Sequence, residues 1–206
     1  MGKGDDTKVA ILDEAVELAS LVGLGGLTIG SLAAATKLSK SGLYAHFESK
    51  EALQVEVLRH ARERFIDVVM RPTLATQRGE ARVRAFFEHW LRWQAEVYDG
   101  GCVFVDAASE FDDQPGLVRD ELIRAERDKL ESVVLMVRGA VGEGELSAEL
   151  DAAQFAFELE GILLAHHHAR RLMRDGTAED RARRAFERLL AASRVAEPAG
   201  PPDGRT

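Results

Sequence analysis

The side chains best suited to chemistry in this sequence are three lysines that lie close together in an otherwise acidic chain. Residues 36–50 carry Lys37, Lys40 and Lys50 against a single acid, Glu48, whereas the whole chain has a net charge of −8. Ammonium groups donate hydrogen bonds to phosphate oxygens and to base edges, so this cluster indicates an anion-binding surface. The overall negative charge argues against a general polyanion binder, and the lysines form a small basic segment in an otherwise acidic protein.

The other candidate reactive groups favour structural roles. Cys102 is the only cysteine, which excludes an internal disulfide and a cysteine-based zinc site and fits a reducing compartment. The consecutive histidines His166, His167 and His168 do not predict a metal site, because neighbouring helical side chains point about 100° apart. The sequence has no glycine-rich phosphate loop, nucleophile elbow or HExxH pair. We therefore expect no metal, no cofactor and no enzymatic activity.

The elements that must position these residues are predicted to be helices. The chain has 206 residues, enough for one or two domains with a substantial core. Ala, Leu, Glu and Arg dominate and no segment alternates with a period of two, so the predicted fold is all-α. No apolar run approaches the roughly 18 to 20 residues that span a bilayer, and no secretion signal is recognisable. We therefore expect a cytoplasmic protein.

Capping residues and helix breakers predict a first helix, two short helices after it and then a series of longer ones. The first helix should run from about Thr7 to Val22, before a glycine-rich segment. The N-caps predicted for the next three helices are Thr28, Ser39 and Ser49. The last of these helices should end at Pro72. Further helices are predicted at residues 80–98, 117–141, 151–173 and 178–195, with an apolar segment at 102–111 and a disordered tail at 196–206.

The stretch from Leu27 to Leu53 reads LTIGSLAAATKLSKSGLYAHFESKEAL, and it resembles the DNA-binding segment of the TetR family of bacterial one-component transcriptional regulators. The matching positions are Thr28, Leu32-Ala33, Ser39, Leu43-Tyr44, His46-Phe47, Ser49-Lys50-Glu51 and Leu53. The resemblance implies an N-terminal three-helix domain with a helix-turn-helix, residues 1–50, whose third helix enters the major groove. Lys37 stands where the family usually has glycine, and a positive φ there would impose modest strain on a lysine.

This segment also contains the residues expected to contact DNA. Residues expected to face base edges in the first turn of the third helix are Lys40, Ser41 and Gly42. Residues expected to contact phosphates are Thr28, Tyr44, His46 and Lys50. Lys50 lies near the positive end of a helix dipole, where a bound phosphate would offset the local repulsion. The alternative interpretation is that Tyr44 and Phe47 are core aromatics and the lysines form a solvated face.

Residues 51–195 are expected to form a larger helical domain for effector binding and dimerisation, with residues 51–71 as a linking helix. Candidate pocket residues are Phe86, Trp90, Trp93, Cys102 and Phe111, with Phe104 nearby. The resemblance implies a dimer that buries the last two helices, through Phe155, Leu159, Ile162, Leu163, His166, Phe186 and Leu189. The alternative for both sets is that they complete the core of a monomer.

The sequence therefore predicts a homodimeric transcriptional repressor that a small organic effector releases from a pseudo-palindromic DNA operator. An all-α enzyme and a helical protein-interaction module without sequence-specific DNA binding remain the alternative interpretations.

Overall fold

Ten α-helices account for most of residues 3–195, which are the residues that the computed structural model describes. The first three are α1 (Lys3–Val22), α2 (Ile29–Thr36) and α3 (Lys40–Tyr44). The others are α4 (Lys50–Phe65), α5 (Arg71–Ala75), α6 (Glu80–Arg92), α7 (Val103–Phe111), α8 (Leu117–Gly142), α9 (Ala152–Arg171) and α10 (Ala178–Ser193). The all-α prediction is confirmed over this range. The tail predicted at 196–206 lies outside the described residues.

The predicted capping residues begin the helices for which they were expected. The hydroxyl oxygen of Thr28 accepts a hydrogen bond from the Ser31 backbone at 3.0 Å, and the Ser31 hydroxyl accepts one from the Thr28 backbone at 3.0 Å. The Ser39 hydroxyl accepts from the backbone N–H of Gly42, and that of Ser49 from the third residue of α4. These contacts satisfy N–H groups that the first helical turn leaves free.

Lys37 ends α2 in a left-handed conformation, with φ 58° and ψ 24°. The position therefore takes a positive φ, although the residue is not glycine. The strain on a non-glycine residue in this region is on the order of 1 kcal/mol. The sharp turn lets α3 begin only a few residues after α2 ends, which the helix-turn-helix requires.

The prediction that the fourth helix ends at Pro72 is wrong. α4 continues through a π-helical turn, Ile66–Met70, into α5, and the chain stays helical to Ala75. Pro72 occupies the first turn after the π-helical segment. Proline is tolerated there because its missing N–H is not needed and its fixed φ suits the helix.

The core joins the three N-terminal helices to the rest of the molecule through α4. This helix packs against α1 and against α8, while α9 packs between α8 and α10. The largest fully buried side chains are Trp93, Phe47, Phe86, Phe87 and Phe155. Among residues 3–195, no helix is long and apolar enough to cross a membrane.

Candidate nucleic-acid interface and internal cavity

α3 presents polar groups to solvent and buries the apolar residues beneath them. Leu43 is fully buried and Phe47, just after the helix, is 1% exposed, and α3 packs against α2. Tyr44 is 55% exposed, which argues against the alternative that it is a core aromatic. The remaining exposed residues of this helix are Lys40, Ser41 and Gly42. The face expected to meet base edges is therefore free in the isolated chain.

The residues expected to contact phosphates are all at least partly exposed, but some of them already make contacts within the chain. Thr28 is exposed while its hydroxyl caps α2. His46 is half-buried, with its ring centroid 6.3 Å from that of Phe47. Lys50 is exposed, and its Nζ donates to the carbonyl oxygen of Gly25 at 2.6 Å. An ammonium has three N–H donors, so this bond leaves two for a phosphate.

A carboxylate from α7 holds the loop between α1 and α2. The two carboxylate oxygens of Glu110 accept hydrogen bonds from the backbone N–H groups of Leu24, at 3.1 Å, and Gly25, at 2.5 Å. Gln54 on α4 donates to the Leu24 carbonyl at 2.8 Å. The loop that precedes the helix-turn-helix is thus fixed by both α4 and α7. No local sequence signal distinguishes Glu110 from the neighbouring acids.

The connection between α6 and α7 rests directly on α1. The Gly100 N–H donates to the Ser20 hydroxyl at 3.1 Å, and the Asp99 N–H donates to a Glu17 carboxylate oxygen at 3.0 Å. A Cβ atom on residue 100 would lie 1.7 Å from the Ser20 carbonyl oxygen. Only glycine allows this close backbone approach.

A small cavity lies between α4, α6, α7 and α8. Its lining residues are Arg62, Phe65, Trp90, Cys102, Phe104, Val105, Ala125, Glu126 and Lys129. Its volume is about 30 Å³, room for one or two water molecules, and it is partly open to solvent. Burial raises the pKa of the Cys102 thiol, while a hydrogen bond from the Trp93 indole N–H to its sulfur, at 3.3 Å, opposes this rise. The thiol is therefore protonated at neutral pH.

The structure divides the aromatic residues that were expected to line a pocket. Trp90 and Cys102 line the cavity, and so does Phe104. Phe86, Trp93 and Phe111 are instead buried outside it. Trp93 packs edge-on against Phe65, with ring centroids 5.2 Å apart, and so supports the cavity wall from behind.

The charged residues of the cavity were missed by sequence reasoning. The Lys129 Nζ lies 2.5 Å from a carboxylate oxygen of Glu126 and 3.1 Å from one of Glu160 on α9. It also lies 4.3 Å from the centroid of the Trp90 ring. Burial raises the pKa of the Glu160 carboxyl, the Lys129 charge opposes this rise and the Glu126 charge adds to it. One signal was present in the sequence, because Lys129 is the only lysine after residue 50.

The three consecutive histidines have separate environments. His166 Nδ1 lies 2.7 Å from the Gln94 side-chain oxygen, and His167 Nε2 lies 3.1 Å from an Asp106 carboxylate oxygen. His168 is exposed. Desolvation lowers the pKa of His166, with Arg170 as a second cause. Within the described part of the chain, no group of three or more His, Cys, Asp or Glu residues is arranged to hold a metal ion.

The apolar stripes of α9 and α10 divide between the core and an open groove. Residues of the predicted interface that are buried in the protomer's own core are Phe155, Leu159, Leu163 and Phe186. The interface residues that line a groove between the two helices are Ile162, His166 and Leu189. α9 is apolar on more than one side because it packs between two helices, so its stripe alone did not separate core from surface.

The structure combines a capped helix-turn-helix, whose third helix is exposed, with a larger helical body that contains a small cavity. This is the architecture of a helical DNA-binding regulator. The family description "Bacterial regulatory proteins, tetR family" matches residues 11–57. The description "Tetracyclin repressor-like, C-terminal domain" matches residues 79–186, more than half of the chain. The chain belongs to the TetR family of bacterial transcriptional regulators, and it is a DNA-binding regulator of transcription.

Similar proteins agree with this assignment. The HTH-type transcriptional regulator SrpR of Pseudomonas putida is 24% identical over 162 residues, which cover 78% of this chain and 73% of SrpR. A TetR transcriptional regulator from Chloroflexus aurantiacus J-10-FL has a TM-score of 0.84 and 25% identity, with 95% of this chain and 100% of that chain covered. AibR, solved with isovaleryl coenzyme A and operator DNA, has a TM-score of 0.69 and 22% identity, with 88% and 96% covered.

Proposed function

We propose that this regulator is a homodimeric repressor that binds a pseudo-palindromic operator in the cytoplasm. The repressor leaves the operator when a small organic effector occupies the cavity between α4, α6, α7 and α8. The exposed polar face of α3 carries the proposal, since its apolar residues are anchored while its polar ones remain free. We assign residues 1–50 to DNA binding and residues 51–195 to effector binding and dimerisation, with residues 51–71 linking the two.

We assign base recognition to the first turn of α3 and phosphate binding to the residues around it. Lys40 can donate to guanine O6 and N7, and Gly42 leaves room for close approach to the groove. The phosphate contacts are assigned to Thr28, Tyr44, His46 and Lys50. Lys50 has a second role, since it also holds the Gly25 carbonyl and so links a phosphate contact to the position of the α1–α2 loop.

We assign the dimer interface to the groove between α9 and α10, through Ile162, His166 and Leu189. Gly161 supports this assignment. It lies exposed in the middle of α9, and a Cβ atom on it would have no neighbour within 4 Å. Glycine costs about 1 kcal/mol relative to alanine in a helix interior, and nothing in one protomer compensates for that cost. Close approach of a helix from a second copy would explain the glycine, because a residue without a Cβ atom leaves room for that helix.

The α7 contacts support a route from the cavity to DNA. Phe104 and Val105 line the cavity, while Glu110 on the same helix holds the backbone of the α1–α2 loop. An effector that displaces α7 would therefore move the loop ahead of the recognition helix. An effector shifts DNA affinity only if it prefers one of the two states. AibR, a structural relative, was solved with both an acyl coenzyme A and operator DNA.

Fluorescence anisotropy with a duplex from upstream of the protein's own coding sequence tests the proposal. We expect salt-dependent, sequence-specific binding, and a dimer by light scattering.

Two lysine variants separate phosphate binding from base recognition. Each phosphate contact contributes about 0.9 to the slope of the logarithm of the binding constant against the logarithm of the salt concentration. Lys50→Ala should therefore lower this slope by about 1.8 per dimer, whereas Lys50→Arg should not. Lys40→Ala should instead alter the preference between sequences. An all-α enzyme or a protein-interaction module would form no sequence-specific complex with DNA. The proposal would be overturned if the protein were monomeric and bound none of the duplexes.

Gly161→Glu tests the dimer assignment separately. In a monomer the substitution has open space and improves helix propensity, so the variant should fold and melt at or above the wild-type temperature. In the proposed dimer it buries two like charges at the contact, and the variant should elute as a monomer. A Gly161→Glu protein that remains dimeric would exclude α9 from the interface.

A further inference from the structure

The cavity contains a binding site for an ammonium group, and the protein fills it with its own side chain. The Lys129 Nζ is held by Glu126 and Glu160 and lies over the ring of Trp90 at 4.3 Å. Carboxylates around a cation placed over an aromatic face are the groups that recognise organic ammonium ions. Only 10% of the Lys129 side chain is exposed, so its flexible methylene chain is ordered along the cavity.

The charges around this site favour a cation over an anion. Two carboxylates face one ammonium, so an anionic ligand would have to compete with both for Lys129. Arg62 at the cavity does not alter this balance, because Asp128 pairs with it at 2.5 Å. A cationic ligand would replace one cation by another, since it would pair with the two carboxylates while the Lys129 ammonium moves into water. The exchange frees a long side chain to regain solvation and rotamer freedom.

The volume and the unpartnered atoms of the site support the same exchange. About 30 Å³ is too small for an organic effector, so a side chain must move before a ligand can enter. Lys129 lines the cavity and is the group whose departure leaves the ammonium site empty. The second carboxylate oxygen of Glu160 is buried without a hydrogen-bond partner among the described residues, and so is the Trp90 indole N–H. An ammonium with N–H groups could satisfy the free oxygen of Glu160.

We infer that the effector is a protonated primary or secondary amine with an apolar body, and that it binds by displacing the Lys129 ammonium from Glu126, Glu160 and the Trp90 ring. The apolar body would lie against Phe65, Phe104 and Val105. This inference rests on the proposed function, in which the cavity is the effector site.

Intrinsic fluorescence provides a direct assay, because the only two tryptophans are Trp90, which lines the cavity, and Trp93, which packs against the lining residue Phe65. The probes are 2-phenylethylamine, the neutral 2-phenylethanol and the anionic 3-phenylpropionate. We expect saturable quenching by the amine and at least tenfold weaker binding of the other two. Removal of the internal competitor in Lys129→Met should tighten amine binding on the order of tenfold. Lys8→Met is the matched control, because Lys8 also pairs with a glutamate and lies over an aromatic ring, in the N-terminal domain.

Glu126→Gln keeps the test decisive if Lys129→Met does not fold. Glu126 is partly exposed, and its loss leaves the pair between Lys129 and Glu160 in place. Because the amine takes the place of the Lys129 ammonium, the substitution weakens both by similar amounts, and this variant should bind the amine within about threefold of the wild type, with the wild-type melting temperature as the check on folding. A tenfold loss would mean that the amine binds Glu126 without displacing Lys129, and would overturn the inference. The inference would be overturned if 3-phenylpropionate bound preferentially, or if none of the probes bound. It would also be overturned if Lys129→Met lost the binding of 3-phenylpropionate. Duplex binding is measured separately, so a failure to bind DNA would overturn the proposed function without affecting the fluorescence result.

Discussion

Glu110 offers the sharpest test of how the two parts of the molecule are joined. Its carboxylate accepts two backbone hydrogen bonds from the α1–α2 loop, at 3.1 and 2.5 Å. Glu110→Gln keeps the size of the side chain but replaces one acceptor oxygen with an NH₂ group, which cannot accept from a backbone N–H. The substitution therefore removes one charge-assisted bond and weakens the other.

The magnitude follows from these two bonds. Hydrogen bonds to charged groups contribute about 1.5 to 3 kcal/mol, and neutral ones about 0.5 to 1.5 kcal/mol. Because the site is only partly buried, we take the low end and expect a loss of about 2 kcal/mol in the local stability of the loop. That loss corresponds to about a 30-fold increase in the fraction of molecules with the loop open.

Amide hydrogen exchange measured by NMR is the direct assay. In Glu110→Gln, exchange at Leu24 and Gly25 should accelerate about 30-fold, whereas amides in the middle of α8 should be unaffected. Asp113→Asn, an exposed carboxylate just beyond the end of α7, is the matched control and should leave exchange at the loop unchanged. Equal protection of Leu24 and Gly25 in wild type and Glu110→Gln would refute the reasoning.

Three further predictions follow from individual residues. Lys37→Gly should raise the free energy of unfolding by about 1 kcal/mol in urea, because glycine adopts φ 58° without strain; a loss of stability would contradict this. Gly100→Ala should destabilise the protein by at least about 2 kcal/mol, because its Cβ would meet the Ser20 carbonyl 1.7 Å away, and an unchanged melting temperature would exclude that contact. Arg194 and Arg84 hydrogen-bond to Glu80 and lower its pKa from 4.5 to about 2, so the stability that this carboxylate adds is present above about pH 4.5 and is lost as the pH falls toward 2. Melting temperatures of Glu80→Gln and wild type should therefore converge on acidification across that window.

The N-terminal helices were predictable because their signals are local. Thr28, Ser39 and Ser49 cap their helices through hydroxyl contacts within a few residues along the chain. Such contacts depend on residue type and spacing, which the sequence states directly. Pro72 shows the limit of this approach, because proline blocks a regular helix interior but not the first turn after a π-helical segment.

The cavity was not predictable to the same degree, because its lining comes from four helices that are distant in sequence. Trp90 and Cys102 were found through their aromatic or unusual residue type. Lys129 and Glu126 belong to a run of charged residues on α8 that is typical of a solvent-exposed helix face. Only the packing of α4 and α6 against α8 places these two side chains at the cavity. Phe155 and Leu163 were expected in the dimer interface, but both are buried in the core of the protomer. An apolar stripe does not reveal whether it packs against the same chain or against a second copy.

The cavity residues come from α4, α6, α7 and α8, and none comes from α1, α2 or α3. Under the proposed function, effector binding and DNA recognition therefore use separate side chains, and the two regions are connected through a few backbone contacts. Exchange of cavity side chains would then create a biosensor for another small molecule while the target promoter stays the same. Such a redesign must keep Glu110 and Gly100, because these two residues connect α7 and the segment before it to α1 and the α1–α2 loop.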